Sequence, residues 1–338
     1  MIILSIFLFL TLLFILSNEI IRNRPMPLSG AISVGFAGLI GLEAILLNIL
    51  SLFRAVTSKY IFIIHIVIIC SWAVWVFFKK DKRVKKCLII YYRIFRMLIF
   101  RRSFQLLVPL WIIIGITAWI YPPNNYDSLT YHMPRVAHWI QNQSIEYYPT
   151  PIDRQNVMGP GAEYLILFFQ LLTGSDRLAT LVQFFSFMLL IISTYYVIRI
   201  IKLPQKWLPY IMIIATTAPI AIMEASNTKN DLVAALITLS IIISGARFFS
   251  GNILKTQLFD FVIIGMCLGV GFLVKPTALI VALPVLIIGI VAQVKKFKTV
   301  QLFWKRSVLG FLFSLLAATA VAGPDLYRKV VYAAPRYE

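Results

Sequence analysis

Residues that could perform acid–base chemistry are concentrated in a few short polar stretches of an otherwise apolar chain. The longest stretch is residues 121–161, YPPNNYDSLTYHMPRVAHWIQNQSIEYYPTPIDRQNVMGPG, which contains Asp127, Glu146, Asp153 and two of the three histidines. A carboxylate can accept a proton from a hydroxyl group, and a nearby cation can stabilise a phosphate. A long polar segment between apolar segments is more often functional than connective, so we expect the chemistry to be located here.

Two shorter polar turns provide further candidates. The segment ASNTKND carries Glu224 just before it and ends at Asp231, and GFLVKPTALI carries Lys275 next to Pro276. Either acid could approach Asp127, although Asp231 also suits a helix N-terminus stabilised by the helix dipole. Lys275 interrupts two apolar runs and must reach an anion, a carboxylate or water, or snorkel to the membrane interface.

Each polar candidate in the long stretch also has a structural interpretation. Asp127 precedes a predicted helix with a proline near its first turn, and aspartate is a common cap or turn residue. His132 and His138 could bind substrate or a metal, but their spacing does not place them on one helix face. Arg135 and Arg154 could bind phosphate, or could pair with a carboxylate or a lipid headgroup.

Composition determines the broad class of the protein. The 338-residue chain is 60% hydrophobic and 13% charged, with a mean hydropathy of +0.87, which excludes an ordinary globular protein and predicts a multi-span membrane protein. The net charge of +19 could suggest a nucleic-acid partner, but the lysines and arginines form short clusters between apolar runs. Such clusters set membrane orientation, so we expect no nucleic-acid partner.

The charge pattern predicts the topology. The basic run KKDKRVKK, residues 79–86, is expected to be cytoplasmic and to begin an amphipathic surface segment, which places the long polar stretch outside. Residues 162–173 are too short for a normal crossing, so we predict a helix at the outer interface. The result is an all-α bundle of about ten spans with an external C-terminal tail from Pro324. The spans are predicted at 1–20, 28–53, 60–78, 103–121, 178–201, 207–223, 231–249, 259–274, 277–294 and 308–322.

Several segments, taken in order, are similar to a known family. The run YPPNNYDSLTYHMPRVAHWIQNQSIEYYPT, then RQN, PGAEYLILF and LLTGSDRLATLVQ, resembles the first external loop of GT-C glycosyltransferases of the protein O-mannosyltransferase-like branch. ASNTKNDLVAALITL looks like the second external acidic motif of that branch, GFLVKPTALI its Lys-Pro turn, and AGPDLYRKV the segment after the next span. The resemblance covers residues 111–330 and divides the chain into 1–102, with N-terminal spans and the basic segment, and a GT-C-like region, 103–338, with its external loop at 122–177.

The resemblance implies an enzyme that transfers a sugar from a polyprenyl-phosphate carrier to a lipid, glycan or protein acceptor, with inversion, outside a bacterial cytoplasmic membrane. Asp127 occupies the position of the catalytic carboxylate. The predicted site residues are Asp127, Glu224 and Asp231 as carboxylates, and His132, Arg135, Arg154, Lys275 and Arg328 as substrate-binding groups. No metal-binding motif is present, but a divalent cation at the carboxylates is compatible with the sequence.

The chain also departs from the family. Members continue with more spans, whereas this chain ends at Glu338 and is short at the C-terminus by comparison, which is compatible with a truncated gene product, a fragment, or half of a split system in which a partner subunit completes the missing part. Two alternatives stay open: a noncatalytic membrane subunit, and a transporter or flippase of lipid-linked glycans in which Glu43 would be the ionisable group near the bilayer centre. The transferase interpretation requires Asp127, Glu224 or Asp231, and Lys275 to line one external cavity.

Overall fold

The computed structural model describes residues 1–23, 26–81, 83–100, 105–250, 258–294 and 300–333, and helices make up 83% of it, with no strand among these residues. This confirms the predicted all-helical fold. The helices are α1 Ile2–Asn23, α2 Leu28–Leu52, α3 Ser58–Lys79, α4 Arg83–Phe100, α5 Val108–Ile120, α6 Met133–Asn142, α7 Arg154–Val157, α8 Gly161–Thr173, α9 Leu181–Ile200, α10 Leu208–Thr217, α11 Pro219–Glu224, α12 Asp231–Ser250, α13 Leu258–Val274, α14 Thr277–Val294 and α15 Val300–Ala333.

Five helical segments in the described part of the chain are long and apolar enough to cross a membrane: Ile2–Asn23, Leu28–Leu52, Ser58–Lys79, Asp176–Ile198 and Val308–Tyr332. Six shorter apolar helices accompany them. Long apolar runs favour helices in a membrane because a helix satisfies its own backbone hydrogen bonds there. The structure is therefore compatible with that of a helical membrane protein.

Helix α2 is the central element of the bundle. It contacts α1, α8, α9, α12, α13 and α15, and 83% of its most apolar window is buried inside the protein. Its sequence LSGAISVGFAGLIGLEA is rich in small residues, which allow neighbouring helices to approach closely. The remaining helices are therefore positioned relative to α2.

Helix α8 differs from the predicted interfacial helix. It packs against α1, α2, α3 and α6, and nearly all of its side chains are buried within the protein. Phe168 contacts the ring of His65 at 5.1 Å, and Phe169 contacts that of Phe9 at 5.2 Å. A short apolar helix can be buried on all sides, and its sequence alone does not distinguish this from a surface location.

Two further helix boundaries differ from the prediction. The predicted span 207–223 is divided into α10 and α11 at Ala218, because Pro219 begins a new helix. Helix α15 continues through Pro324 to Ala333, where an external tail was expected. Its contacts with α13 hold it in place, and Lys329 pairs with Asp325 at 2.8 Å beyond the proline.

One end of the bundle carries the connections that form the candidate site. There the turn between α2 and α3 is fixed to the end of α6, since Ser51 Oγ lies 2.7 Å from Ser144 Oγ and the Val56 amide donates to the Gln143 carbonyl. Some basic residues used for the predicted orientation lie outside the described residues: Arg24, Arg101, Arg102, Lys255, Lys295, Lys296 and Lys298.

Candidate active site

The local fold of the long polar stretch fixes the position of Asp127. After α5 ends, Asn125 Oδ1 accepts a 2.9 Å hydrogen bond from the Ser128 amide, and the chain forms a π-helical turn at Ser128–His132 that leads into α6. π-helical turns are rare and occur frequently at functional sites. Asp127 stands at the start of this turn with 32% of its side chain exposed.

Two hydrogen bonds join the three polar segments that the sequence analysis singled out. Thr228 Oγ1 donates to Ser128 Oγ at 2.6 Å across 100 residues of chain, and Asn230 Nδ2 donates to the Val274 carbonyl at 3.0 Å across 44 residues. Thr228, Asn230 and Val274 are each adjacent in sequence to a charged residue of the site. The structure therefore brings the first loop, the 224–231 turn and the Lys275 turn to one place.

The carboxylate of Asp127 lies between two cations. Arg154 Nη1 is 3.8 Å from Asp127 Oδ1, and Lys229 Nζ is 3.8 Å from Asp127 Oδ2. Both separations exceed hydrogen-bond distance. The carboxylate is thus held in a positive field without being locked into a tight pair, and it is partly open to solvent.

Glu224 and Lys229 form the better-ordered part of the cluster. Lys229 Nζ donates to Glu224 Oε1 at 3.2 Å, and the amide of Asn227 donates to Glu224 Oε2 at 2.8 Å. Asn227 Oδ1 in turn accepts the backbone N–H of Lys229 at 2.8 Å, a local side-chain-to-backbone bond typical of asparagine. These bonds fix the turn after α11 and direct the lysine toward Asp127.

Lys275 and Asp231 form a second pair at the edge of the cluster. Lys275 Nζ donates to Asp231 Oδ1 at 2.6 Å, and both side chains are partly exposed. Asp231 is the first residue of α12, where the helix dipole favours a negative charge, and Pro276 follows the end of α13. The pair is accessible from solvent, so an anionic ligand could displace the carboxylate from the lysine.

The electrostatic balance of the cluster suits a polar substrate. Three carboxylates, Asp127, Glu224 and Asp231, are opposed by three cations, Arg154, Lys229 and Lys275. Partial burial alone would lower the pKa of Lys229, but its hydrogen bond to Glu224 and the surrounding carboxylates raise it above its ordinary value. Burial, with a smaller contribution from Asp127, raises the pKa of Tyr131 to about 12, so this phenol is neutral.

Arg135 was predicted to bind substrate, and the structure gives it a different set of partners. The side chain is 1% exposed, and its N–H groups are directed at the carbonyls of residues 154, 155, 158 and 159 and at Glu163 Oε1, 2.9 Å away. A guanidinium has five N–H donors, and these five acceptors engage all of them. Arg135 therefore holds the 154–159 segment, which carries Arg154, and has no donor left for a substrate.

His132 is buried beside Arg135. Its Nδ1 lies 2.9 Å from Glu163 Oε1, and its side chain has no exposed surface. Because Glu163 also pairs with Arg135, the carboxylate acts as acceptor and His132 Nδ1 as donor. The buried His132 Nε2 finds no partner in the described part of the chain. His132 thus lies beneath the site rather than at its surface.

The remaining candidates have contacts elsewhere. Arg328 on α15 is mostly buried and donates to Asn48 Oδ1 at 2.7 Å, with Glu146 Oε1 at 3.4 Å, so its described polar contacts do not include the Asp127 cluster. His138 stacks on Tyr148 with ring centroids 4.1 Å apart. The structure thus groups Asp127, Glu224, Asp231, Arg154 and Lys275, and separates Arg328 from them.

Glu43, on which the transporter alternative depended, is fully buried. Its Oε1 lies 2.6 Å from His65 Nε2, while His65 Nδ1 lies 2.6 Å from the Ile61 carbonyl. A carbonyl can only accept, so Nδ1 carries a proton, and one further proton is shared between Nε2 and the carboxylate. Glu43 Oε2 is buried without a hydrogen-bond partner among the described residues, and the pair lines neither of the two cavities described next.

Apart from the mostly buried Glu224, the charged side chains of the cluster are at least partly exposed. A cavity of about 420 Å³ lies between α3 and α8, and an apolar one of about 630 Å³ lies between α5 and α9; neither is lined by Asp127, Glu224, Asp231 or Lys275. The expectation that these residues line one cavity stays a prediction: the hydrogen bonds between their segments bring them to one place, but they line neither of these two cavities.

Sequence reasoning missed several residues of the cluster. Lys229 is central to it, and Ser128, Thr228 and Asn230 join its segments. The available signal was the position of Lys229 between two candidate acids, five residues after Glu224 and two before Asp231. The hydrogen bonds between segments have no comparable signal in the sequence.

Comparison of this chain with models of protein families, with curated proteins and with solved structures finds no match. Among the described residues, no group of three or more His, Cys, Asp or Glu side chains is arranged to hold a metal ion. The functional interpretation therefore depends on the geometry and chemistry of the cluster itself.

Proposed function

We propose that this protein is a membrane glycosyltransferase of the GT-C type, which moves a sugar from a polyprenyl-phosphate donor to an acceptor hydroxyl at the extracytoplasmic face. Asp127 is the general base. The five long apolar helices and the shorter ones together form about ten spans in this proposal, with the Asp127 end of the bundle facing outward.

The observation that carries the proposal is the pair of hydrogen bonds that joins three distant segments. Ser128 with Thr228, and Asn230 with Val274, bring Asp127, Lys229 and Lys275 to one end of the bundle. In membrane proteins, carboxylates and cations from three separate connections rarely meet at one surface unless a polar ligand binds there.

The reaction assigned to this cluster is a single displacement. The acceptor oxygen forms a bond to the anomeric carbon while the bond from that carbon to the phosphate oxygen breaks, and polyprenyl phosphate leaves with the electron pair. The proton of the acceptor hydroxyl passes to Asp127, which is partly exposed and free of a tight ion pair. Because phosphate is a good leaving group, this reaction needs no second carboxylate as general acid.

The departing phosphate requires positive charge. Lys275 and Arg154 are the exposed cations of the cluster and can release their carboxylate partners to bind the phosphate. In this assignment Lys275 binds the donor, Arg154 supports the phosphate or Asp127, and Asp231 and Glu224 hold their respective lysines in the absence of substrate.

The test is donor consumption by the purified protein in proteoliposomes. A panel of radiolabelled polyprenyl-phosphate hexoses and pentoses would be supplied with membrane-extracted lipid and glycan acceptors, and release of polyprenyl phosphate would be measured. The wild-type protein should consume at least one donor, and Asp127→Asn should reduce turnover by about 10³-fold or more, because the general base is lost.

The control is Asp176→Asn, which removes an exposed carboxylate that lines the cavity between α3 and α8. It should retain the wild-type rate. Consumption of no donor, or an unchanged rate in Asp127→Asn, would overturn the proposal and favour a noncatalytic membrane subunit.

A further inference from the structure

Lys229 occupies the space between two carboxylates that come from different segments of the chain. Its Nζ lies 3.2 Å from Glu224 Oε1 and 3.8 Å from Asp127 Oδ2, with 28% of the side chain exposed. Its backbone is fixed by Asn227, which also bonds Glu224. The turn that carries Lys229 therefore holds its ammonium group in the site.

The surrounding charges keep this lysine protonated. Glu224, Asp127 and Asp231 all act on Lys229 and oppose the effect of its partial burial. An ammonium ion between carboxylates reduces their mutual repulsion and holds them at a defined separation. Lys229 therefore holds two carboxylates together with one positive charge, as a divalent cation does in other carboxylate sites.

The arrangement does not fit a divalent ion as it stands. Mg²⁺ and Ca²⁺ need oxygen ligands at about 2.0–2.6 Å from the metal. Here Glu224 Oε1 is hydrogen-bonded to Nζ at 3.2 Å, and Asp127 Oδ2 faces Nζ as a looser ion pair at 3.8 Å. A metal ion at that point would lie against the ammonium and be repelled by it. The space between the two carboxylates is already taken by a cation.

We propose that Lys229 is the resident cation of this site: it links Asp127 to Glu224 in the place a divalent ion would take, so that sugar transfer proceeds without one. This inference rests on the proposed transferase function for its effect on turnover. Its structural part, that removing the ammonium leaves two carboxylates able to bind a divalent ion, can be measured without turnover. Lys229 is in this sense a positioning residue, which acts through Asp127.

The experiment compares wild type with Lys229→Ala, Lys229→Arg and Lys275→Ala in nanodiscs, using Mn²⁺ as the probe. Binding is followed by loss of the electron paramagnetic resonance signal of free Mn²⁺, and turnover is measured with a chelator or with added Mn²⁺. Wild type and Lys229→Arg should be insensitive to the chelator and bind no Mn²⁺ at the site. Lys229→Ala should lose about tenfold or more in turnover, bind one Mn²⁺ per chain, and regain part of its rate with Mn²⁺.

Lys275→Ala is the matched control, because it also removes a lysine from a carboxylate, but its ion pair among the described residues is with Asp231. It should gain neither Mn²⁺ binding nor Mn²⁺-dependent recovery. Circular dichroism and size-exclusion profiles would establish that the variants are folded.

Two results would overturn the inference: inactivation of the wild type by a chelator with recovery in Mn²⁺, or equal Mn²⁺ binding by wild type and Lys229→Ala. Failure of the transferase proposal has a different signature. In that case no donor is consumed by any variant, while the difference in Mn²⁺ binding between wild type and Lys229→Ala persists.

Discussion

Thr228 Oγ1 donates a 2.6 Å hydrogen bond to Ser128 Oγ, although the two residues are 100 positions apart, and both side chains are buried. Each is the immediate neighbour of a charged residue of the cluster, Lys229 and Asp127 respectively. This contact joins the segment of the carboxylate assigned as base to the segment of the cation that faces it.

The first prediction concerns that contact. Thr228→Val keeps the shape of the side chain but leaves the buried Ser128 hydroxyl without its partner, so we expect the free energy of unfolding to fall by about 1–2 kcal/mol. Turnover should fall by about tenfold, because Asp127 and Lys229 lose their fixed separation. Thermal unfolding in detergent and donor consumption would be measured together.

Thr217→Val is the control for this change, since within the described part of the chain the Thr217 hydroxyl bonds to the Ile213 carbonyl of its own helix. It should leave both measurements nearly unchanged. A lower unfolding temperature in Thr228→Val with full turnover would mean that the contact supports the fold but not the site.

The second prediction concerns Gly159, where the first loop passes over the end of α13. A Cβ atom at this position would stand 2.9 Å from the Val274 carbonyl oxygen and would meet the Leu273 carbonyl oxygen even more closely. Both obstacles are backbone atoms, so Gly159→Ala must push the loop away from the Lys275 turn. We expect a loss of stability of about 1–3 kcal/mol and reduced turnover.

Gly323→Ala provides the comparison for Gly159→Ala. A Cβ at Gly323 would meet nothing closer than 3.8 Å, and alanine favours a helix. This variant should be as stable as the wild type or slightly more so. If both glycine variants behave alike in thermal unfolding, the close approach of the loop to α13 is not a constraint.

The third prediction concerns the buried pair beneath the site. Glu163→Gln leaves the buried Arg135 guanidinium without its counter-charge, and Arg135→Met removes the guanidinium donors from four carbonyls and from Glu163, which retains its contact with His132 Nδ1. Each change should cost roughly 3–5 kcal/mol of folding stability. Arg135→Lys should not restore it, because an ammonium group cannot reproduce the planar fork of donors.

Thermal unfolding of these variants would be compared with that of Arg154→Met, whose side chain is exposed. The exposed variant should unfold at nearly the wild-type temperature. Equal unfolding temperatures for Arg135→Met and Arg154→Met would show that the buried pair does not support the loop.

The fourth prediction concerns donor binding. Lys275→Met should raise the KM for the polyprenyl-phosphate donor by about tenfold with a small change in kcat, because one charge-assisted contact to the phosphate is lost. Lys275→Arg should behave like the wild type. Steady-state kinetics over a range of donor concentrations would separate the two constants.

Lys329→Met removes a comparable lysine that pairs with Asp325 on α15. Its donor KM should stay at the wild-type value. A similar rise in both variants would indicate a general effect of membrane-surface charge on donor supply rather than a contact made by Lys275.

Part of this protein could be predicted from its sequence because the relevant information is local. Long apolar runs require helices in a membrane, so the all-helical fold followed from composition and segment length. The concentration of acids and bases in three connections identified Asp127, Glu224, Asp231 and Lys275 as neighbours in one cluster. Polar residues within an apolar stretch of sequence can be recognised without any knowledge of packing.

The tertiary structure alone decided which of the charged residues face solvent and which are used internally. Arg135 and Arg154 lie in the same polar stretch and looked equivalent, yet one is buried with all its donors engaged and the other is exposed beside Asp127. The partners that make this difference are 19 to 28 residues from Arg135, and Lys229 meets Asp127 across about 100 residues. Whether all the N–H donors of an arginine are hydrogen-bonded depends on such distant acceptors, and a sequence pattern does not specify them.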